Sequence, residues 1–264
     1  MDELQMESLL VVIPSRLKHA ASGELFLEKA INSILNQRAA ERIKIDIAVG
    51  VDAGASYPQG AAVSRAEFFA SSSASQAAAL NAAARGLSHD LIAILEDDDE
   101  WAPEFLDTAL VALEQADFVS STQLEVDTKG QIVCINDFPT PSGWIMRRST
   151  WVAVGGFDET YRHHLDNEWL GRLALSDLRR IHLIEATAPL GHGHVAAMRP
   201  WLGRVLANGG PNVRLFRHAF LLPLVRRLAH SESGSAQTSK DASERSTSEA
   251  EYERLTVRFG RIPW

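Results

Sequence analysis

The 264-residue chain contains a single cysteine, Cys134, so it can form neither an internal disulfide nor a cysteine-based metal cage, and a reducing, cytoplasmic location is expected. Long apolar runs are also missing. The longest, Leu9–Ile13 and Phe220–Val225, fall far short of the roughly 20 residues that cross a bilayer, and Pro223 interrupts the second. The acidic segment Met1–Ser8 has no basic or apolar signal-peptide region, so no secretory signal is expected. Bases are in the minority, 26 Lys+Arg against 34 Asp+Glu for a net charge of -8, which argues against a nucleic-acid partner. With 45% hydrophobic and 23% charged residues, the chain can build a sizeable globular core.

Two further shortages are local. Residues 186–231 contain no acid and six arginines, Arg199, Arg204, Arg214, Arg217, Arg226 and Arg227, whereas residues 1–185 carry 28 acids and 15 bases. Internal ion pairing with that surplus of acids is the favoured expectation; the alternatives are phosphate binding and peripheral contact with an inner membrane face. Across Val213–Leu228 the apolar residues form a helical stripe flanked by arginines, so an interfacial helix is predicted. Residues 231–250 are Ser-rich and poor in large apolar side chains, which predicts a disordered linker before the tail 251–264.

What is present is an alternation of apolar runs and helical patterns. Leu9–Ile13 reads as a buried strand, Glu24–Gln37 as a helix, Ile43–Val51 as a strand, Ser75–Gly86 as a helix and Leu91–Leu95 as a strand. This βαβαβ order predicts a parallel sheet with helices on both faces and a ligand crevice at the strands' carboxyl ends, where Asp52 and Glu96–Asp99 fall. Further on, Pro103–Gln115 and Asp166–Leu175 read as helices, Phe118–Val126 and Gln131–Ile135 as a hairpin-like pair, and Ile181–Ile184 as a strand, so the sheet becomes mixed.

Five consecutive acids, Glu96-Asp97-Asp98-Asp99-Glu100, follow the third strand. Acids at a helix N-terminus gain about 0.3–1 kcal/mol each from the helix dipole, but two would suffice for that. Four carboxylates packed behind a buried strand repel one another unless a cation neutralises them, and hard Mn2+ or Mg2+ prefers such oxygen ligands. Metals held this way complete their shell with water and substrate phosphates, which points to a phosphorylated or nucleotide-bearing substrate.

The blocks Leu10-Val-Val-Ile-Pro-Ser-Arg16, Leu27–Gln37, Ile47–Ser56, Leu95–Pro103 and Val154-Gly-Gly-Phe-Asp-Glu159 occur in the order found in family 2 glycosyltransferases, and the chain resembles that family over roughly residues 9–185. The resemblance implies the GT-A fold, a Rossmann-like mixed α/β sheet sandwiched by helices. It also implies a single catalytic domain over 1–230, with a nucleotide-binding half 1–100, an acceptor half 101–195 and a helical extension 196–230. The implied activity is hexosyl transfer from a UDP- or GDP-sugar to a hydroxyl acceptor such as a polysaccharide or a lipid-linked chain, with inversion. Pro14, Ser15, Arg16, Asp52 and Asp97 would contact the nucleotide, and Asp98 and Asp99 the metal. The chain departs from the family at Ala53, where a second acid is usual, and at Arg16-Leu17, where a Tyr-Asn pair is usual.

By the same resemblance Asp166, in His163-His-Leu-Asp-Asn-Glu-Trp-Leu-Gly-Arg172, is the catalytic base, and Glu168 and Arg172 face substrate groups. From the residues alone, Asp166 reads equally as an N-cap, and Asp52 as a turn former before Gly54. His192 and His194, in Gly-His-Gly-His, are candidates for the metal or diphosphate, or simply polar loop residues. Trp144 offers an aromatic face to a sugar ring, or a core side chain. Two other functions stay open: a nucleotidyltransferase, against which the absence of a Gly-rich, Lys-bearing loop after the first strand weighs, and a non-catalytic nucleotide- or sugar-binding module.

Overall fold

A computed structural model describes residues 7–20, 22–188, 201–203, 213–230, 238 and 240–260. Strand β1 (Ser8–Ser15) lies between β2 (Lys44–Val51) and β4 (Leu91–Ile94), parallel to both, with Leu9 opposite Ile45 and Leu91. Side chains alternate across a strand, so Leu9, Val11 and Ile13 enter one core layer and Leu10 and Val12 the other. The first layer is covered by α1 (Phe26–Leu35), through Leu27, Ile31 and Ile34, and by α3 (Phe105–Leu113). The second is covered by the alanine-rich α2 (Gln76–Gly86), which lies so close that a Cβ on Gly50 would fall 2.0 Å from the Ala79 carbonyl oxygen.

The sheet extends to eight strands in the order β11-β10-β6-β9-β4-β1-β2-β3. These add β3 (Ala66–Ala70), β6 (Phe118–Ser121), β9 (Trp144–Arg147), β10 (Arg180–Ile184) and β11 (Val213–Arg217). Among the described strands of this sheet, β9 alone runs antiparallel, to its neighbours β4 and β6. A second sheet has the order β5-β12-β7-β8, formed by Glu100–Trp101, Val225–Ala229, Gln123–Asp127 and Ile132–Asn136. The observed class is therefore the expected one, a mixed α/β sheet sandwiched by helices.

Three expectations are corrected. The interfacial helix over 213–228 is instead β11 and β12, because Pro223 lacks the N–H an internal helical residue must donate, and the arginines are divided between two strands. The predicted hairpin divides at Thr122: β6 joins the large sheet, and only β7 and β8 pair as a hairpin. Of the expected disordered linker, 242–250 is helical, the first half of the helix Ala242–Phe259. Its Asp241 N-cap accepts hydrogen bonds from the amides of Ser243 and Glu244, Gly260 ends it in the left-handed conformation, and burial of Glu251 and Leu255 docks it. With α4 (Arg148–Val154) and α5 (Leu165–Ala174) already placed, this last helix is α6.

Candidate active site

The carboxyl ends of β1, β2 and β4 open into a cavity of about 850 Å³. Ser15 ends β1, and its hydroxyl donates to Asp97 Oδ2 at 2.6 Å while accepting the Leu17 amide at 2.9 Å. Leu17 holds φ = +55°, a left-handed conformation that costs a leucine energy and turns the chain sharply beside the cavity. Asp52 lines the same wall from the end of β2, so its place in the turn before Gly54 and its place at the cavity are compatible.

The acid run is shaped by a buttress that sequence reading missed. Ser142, fully buried in the turn Pro141–Gly143, accepts the Glu96 amide at 3.1 Å, donates to Asp99 and accepts the Trp101 indole N–H at its carbonyl at 2.6 Å. Asp99 also accepts the Leu228 amide at 3.1 Å. With both oxygens occupied and only 1% exposed, it anchors the loop from beneath, while Glu96, Asp97 and Asp98 line the cavity. Glu96, Asp98 and Asp99 bring carboxylate oxygens within 4.8 Å of one another.

Burial, followed by the charge of Asp98, raises both Glu96 and Asp97 to about 7, and it raises Asp99 well above the carboxylate range, with Asp98 and Glu96 adding to the effect. Arg227 offsets part of this at Glu96 and Asp99, as Lys18 does at Asp97. Burial opposes the charge of Arg227, but Glu96, Asp99 and Glu125 outweigh that and hold the guanidinium above its ordinary range, with Nη1 donating to Glu125 at 3.0 Å. The acid-free stretch thus supplies an internal counter-charge through Arg227, whereas Arg214 and Arg217 donate to backbone carbonyls.

His230, just past β12, places Nε2 at 2.8 Å from Asp98 Oδ2 and its ring 5.2 Å from Phe26. It takes a position beside the acids of the kind expected for His192 or His194, which lie outside the described residues, as do Arg199 and Arg204. No local motif marks His230. The pairing of β12 with β5 and β7 carries it there.

Across the cavity, Asp166 sits in the first turn of α5, and Asn167 donates to its Oδ1 from the amide at 2.7 Å and from the side chain at 3.2 Å. Burial raises its carboxyl above the usual range. The N-cap of α5 is His164, so Asp166 is not the cap. The Gly-Gly segment that resembles the family signature docks on α2: Asn81 accepts the Phe157 amide at 2.8 Å and donates to Glu159 at 2.9 Å. Gly155 there has φ = +86°, which a side chain would strain.

Pro14, Ser15, Arg16, Asp52, Asp97, Asp98 and Asp166 therefore meet at one cavity. The other candidates among the described residues do not line it. Trp144 is fully buried, donates to the Pro139 carbonyl at 2.8 Å and packs 5.0 Å from Trp169, which corrects its expected place against substrate: its rigid ring fills the core. Glu168 is likewise fully buried, and Arg172 grips it with two bonds of 2.8 Å while Arg258 adds a third, so this pair organises helices instead of facing the cavity.

These features define a GT-A-like fold with an acidic cavity at the strand ends. No family model and no curated protein matches the chain by sequence. Among solved structures, S. aureus TarS 1–349 in complex with UDP is similar at TM-score 0.53 and 12% identity over 97% of this chain and 72% of that one. S. aureus TarS gives 0.52 and 11% over 96% and 43%, and the mannosyltransferase PcManGT from Pyrobaculum calidifontis, in complex with GDP-Man and Mn2+, gives 0.49 and 16% over 66% and 54%. The chain thus spans about half the length of several structures it resembles.

Proposed function

We propose that the protein is a divalent-metal-dependent glycosyltransferase of the family 2 type, moving a hexosyl group from a UDP- or GDP-sugar to a hydroxyl acceptor with inversion. The observation that carries it is the meeting, in one cavity, of an acid cluster at the carboxyl ends of β1, β2 and β4 with a separate, half-buried aspartate, Asp166, on α5. An all-oxygen donor set suits Mn2+ or Mg2+, and Glu96 and Asp98, with His230 beside them, would hold the ion. When bound, the metal supplies charge neutralisation for the departing diphosphate. Ser15, Arg16, Asp52 and Asp97, which line the cavity, bind and orient the nucleoside side of the donor.

Asp166 accepts the acceptor hydroxyl proton. Burial raises the carboxyl above its ordinary value and so strengthens it as a base. The acceptor is a polysaccharide or a lipid-linked chain. Exposed Phe220, Leu221 and Leu222, with exposed Arg226 nearby, support the peripheral membrane contact that a lipid-linked acceptor needs. The test separates binding from chemistry. Asp98→Asn should abolish Mn2+-dependent nucleotide binding, whereas Asp166→Asn should bind normally and lose at least ~100-fold in turnover, the lower end for general-base catalysis. Normal turnover by Asp166→Asn would remove it as the base.

A further inference from the structure

The geometry points to Glu251, on the carboxyl-terminal helix α6, as the residue that positions the base-bearing helix α5; this rests on the role proposed for Asp166. Glu251 is a carboxylic side chain only 3% exposed. Its Oε1 accepts the Arg162 amide at 2.6 Å, and its Oε2 accepts the amides of His163 and His164 at 2.8 and 3.0 Å. His164 is the N-cap of α5, and its own side chain makes no capping bond. A carboxylate 87 residues away in sequence therefore takes up the backbone donors at the entrance of the helix, two residues before Asp166.

The same helix grips α5 along its length. Arg258 donates to fully buried Glu168 at 2.8 Å, and Leu255, fully buried, joins the core cluster that holds Leu165 and Trp169. His164 Nε2 lies 2.9 Å from Ser248 Oγ, and Arg162 Nη2 donates to Glu244 at 2.6 Å. Glu244, Arg245 and Ser248 also line the cavity, so α6 forms a wall of it. Three amides converging on one buried carboxylate fix the backbone that leads into Asp166. Glu251 touches no reacting atom; it acts through the helix entrance. Glutamine cannot replace it, because an amide has one acceptor oxygen and its N–H2 would face N–H donors.

The test uses the full chain with Glu251→Gln, Arg258→Met and, as a control, exposed Glu249→Gln. Hydrogen exchange at the amides of residues 162–166 should quicken at least tenfold in Glu251→Gln, with α2 still protected and the control unchanged. With UDP-glucose, GDP-mannose and Mn2+, nucleotide release by Glu251→Gln should show kcat reduced about tenfold or more and the donor KM within twofold of wild type. If Glu251→Gln does not fold, Arg258→Met, which keeps Arg172 on Glu168, should show the same split more weakly. Unchanged exchange at 162–166 in a folded Glu251→Gln, or unchanged kcat with quickened exchange, overturns the proposal. If wild type itself turns over no nucleotide sugar, the glycosyltransferase assignment and with it the base-positioning role fall, while exchange still reports whether Glu251 holds the helix entrance.

Discussion

Glu96 and Asp97 share a cavity wall with Asp98, and burial first, then that neighbouring charge, raises each to about 7. Because their pKa values are raised, the folded protein without metal binds protons that the unfolded chain has already released between about pH 4.5 and 7, so ionising these groups lowers its stability as pH rises through that window. A divalent cation needs the ionised carboxylates and must displace those protons. Mn2+ affinity should therefore rise steeply from pH 6 to pH 8, with protons released on binding; calorimetry in buffers of different ionisation heat measures both. Affinity that is flat with pH, with no proton release, would mean that these carboxylates are not in the metal's field. Asp166 faces this group across the cavity, where its charge adds to the rise at Glu96, and its own carboxyl is raised by burial.

At the level of elements, the acid loop depends on the turn Pro141–Gly143, which neither carries nor resembles a catalytic motif. Ser142→Ala removes the acceptor of the Glu96 amide and the donor to buried Asp99, so unfolding by denaturant should show a loss of about 1–3 kcal/mol. Mn2+ binding should weaken with it, and an unchanged denaturation midpoint would show that the loop holds itself. The elements legible from sequence were those whose burial imposes a simple period: β1 and β4 as apolar runs, α1 as a stripe, and α2 ended by glycine. Strands β3 and β9 gave little signal, because β3 is a half-exposed edge and β9 shares its apolar character with any core segment. The stripe over 213–228 misled because strand and helix periods coincide over short apolar runs, and α6 was hidden because its stability comes from Asp241, Glu251 and Leu255 and not from a broad apolar face.

For the whole molecule, part of the segregated charge meets at one centre. The acid-free stretch crosses to the acid run as β12, bringing Arg227 and His230 beside Glu96–Asp99. The acids themselves, Ser15 and Asp166 were legible because adjacent blocks mark them, whereas His230, Arg227 and Ser142 reach the site only through strand pairing and turns that no local pattern encodes. The central claim is that this cavity binds a nucleoside diphosphate through a divalent ion. Calorimetric titration of the full chain with UDP and with GDP, each with and without Mn2+, tests it directly. Saturable binding of at least one nucleotide that appears only with Mn2+ is the predicted result, and binding of neither, or binding indifferent to the metal, would contradict it.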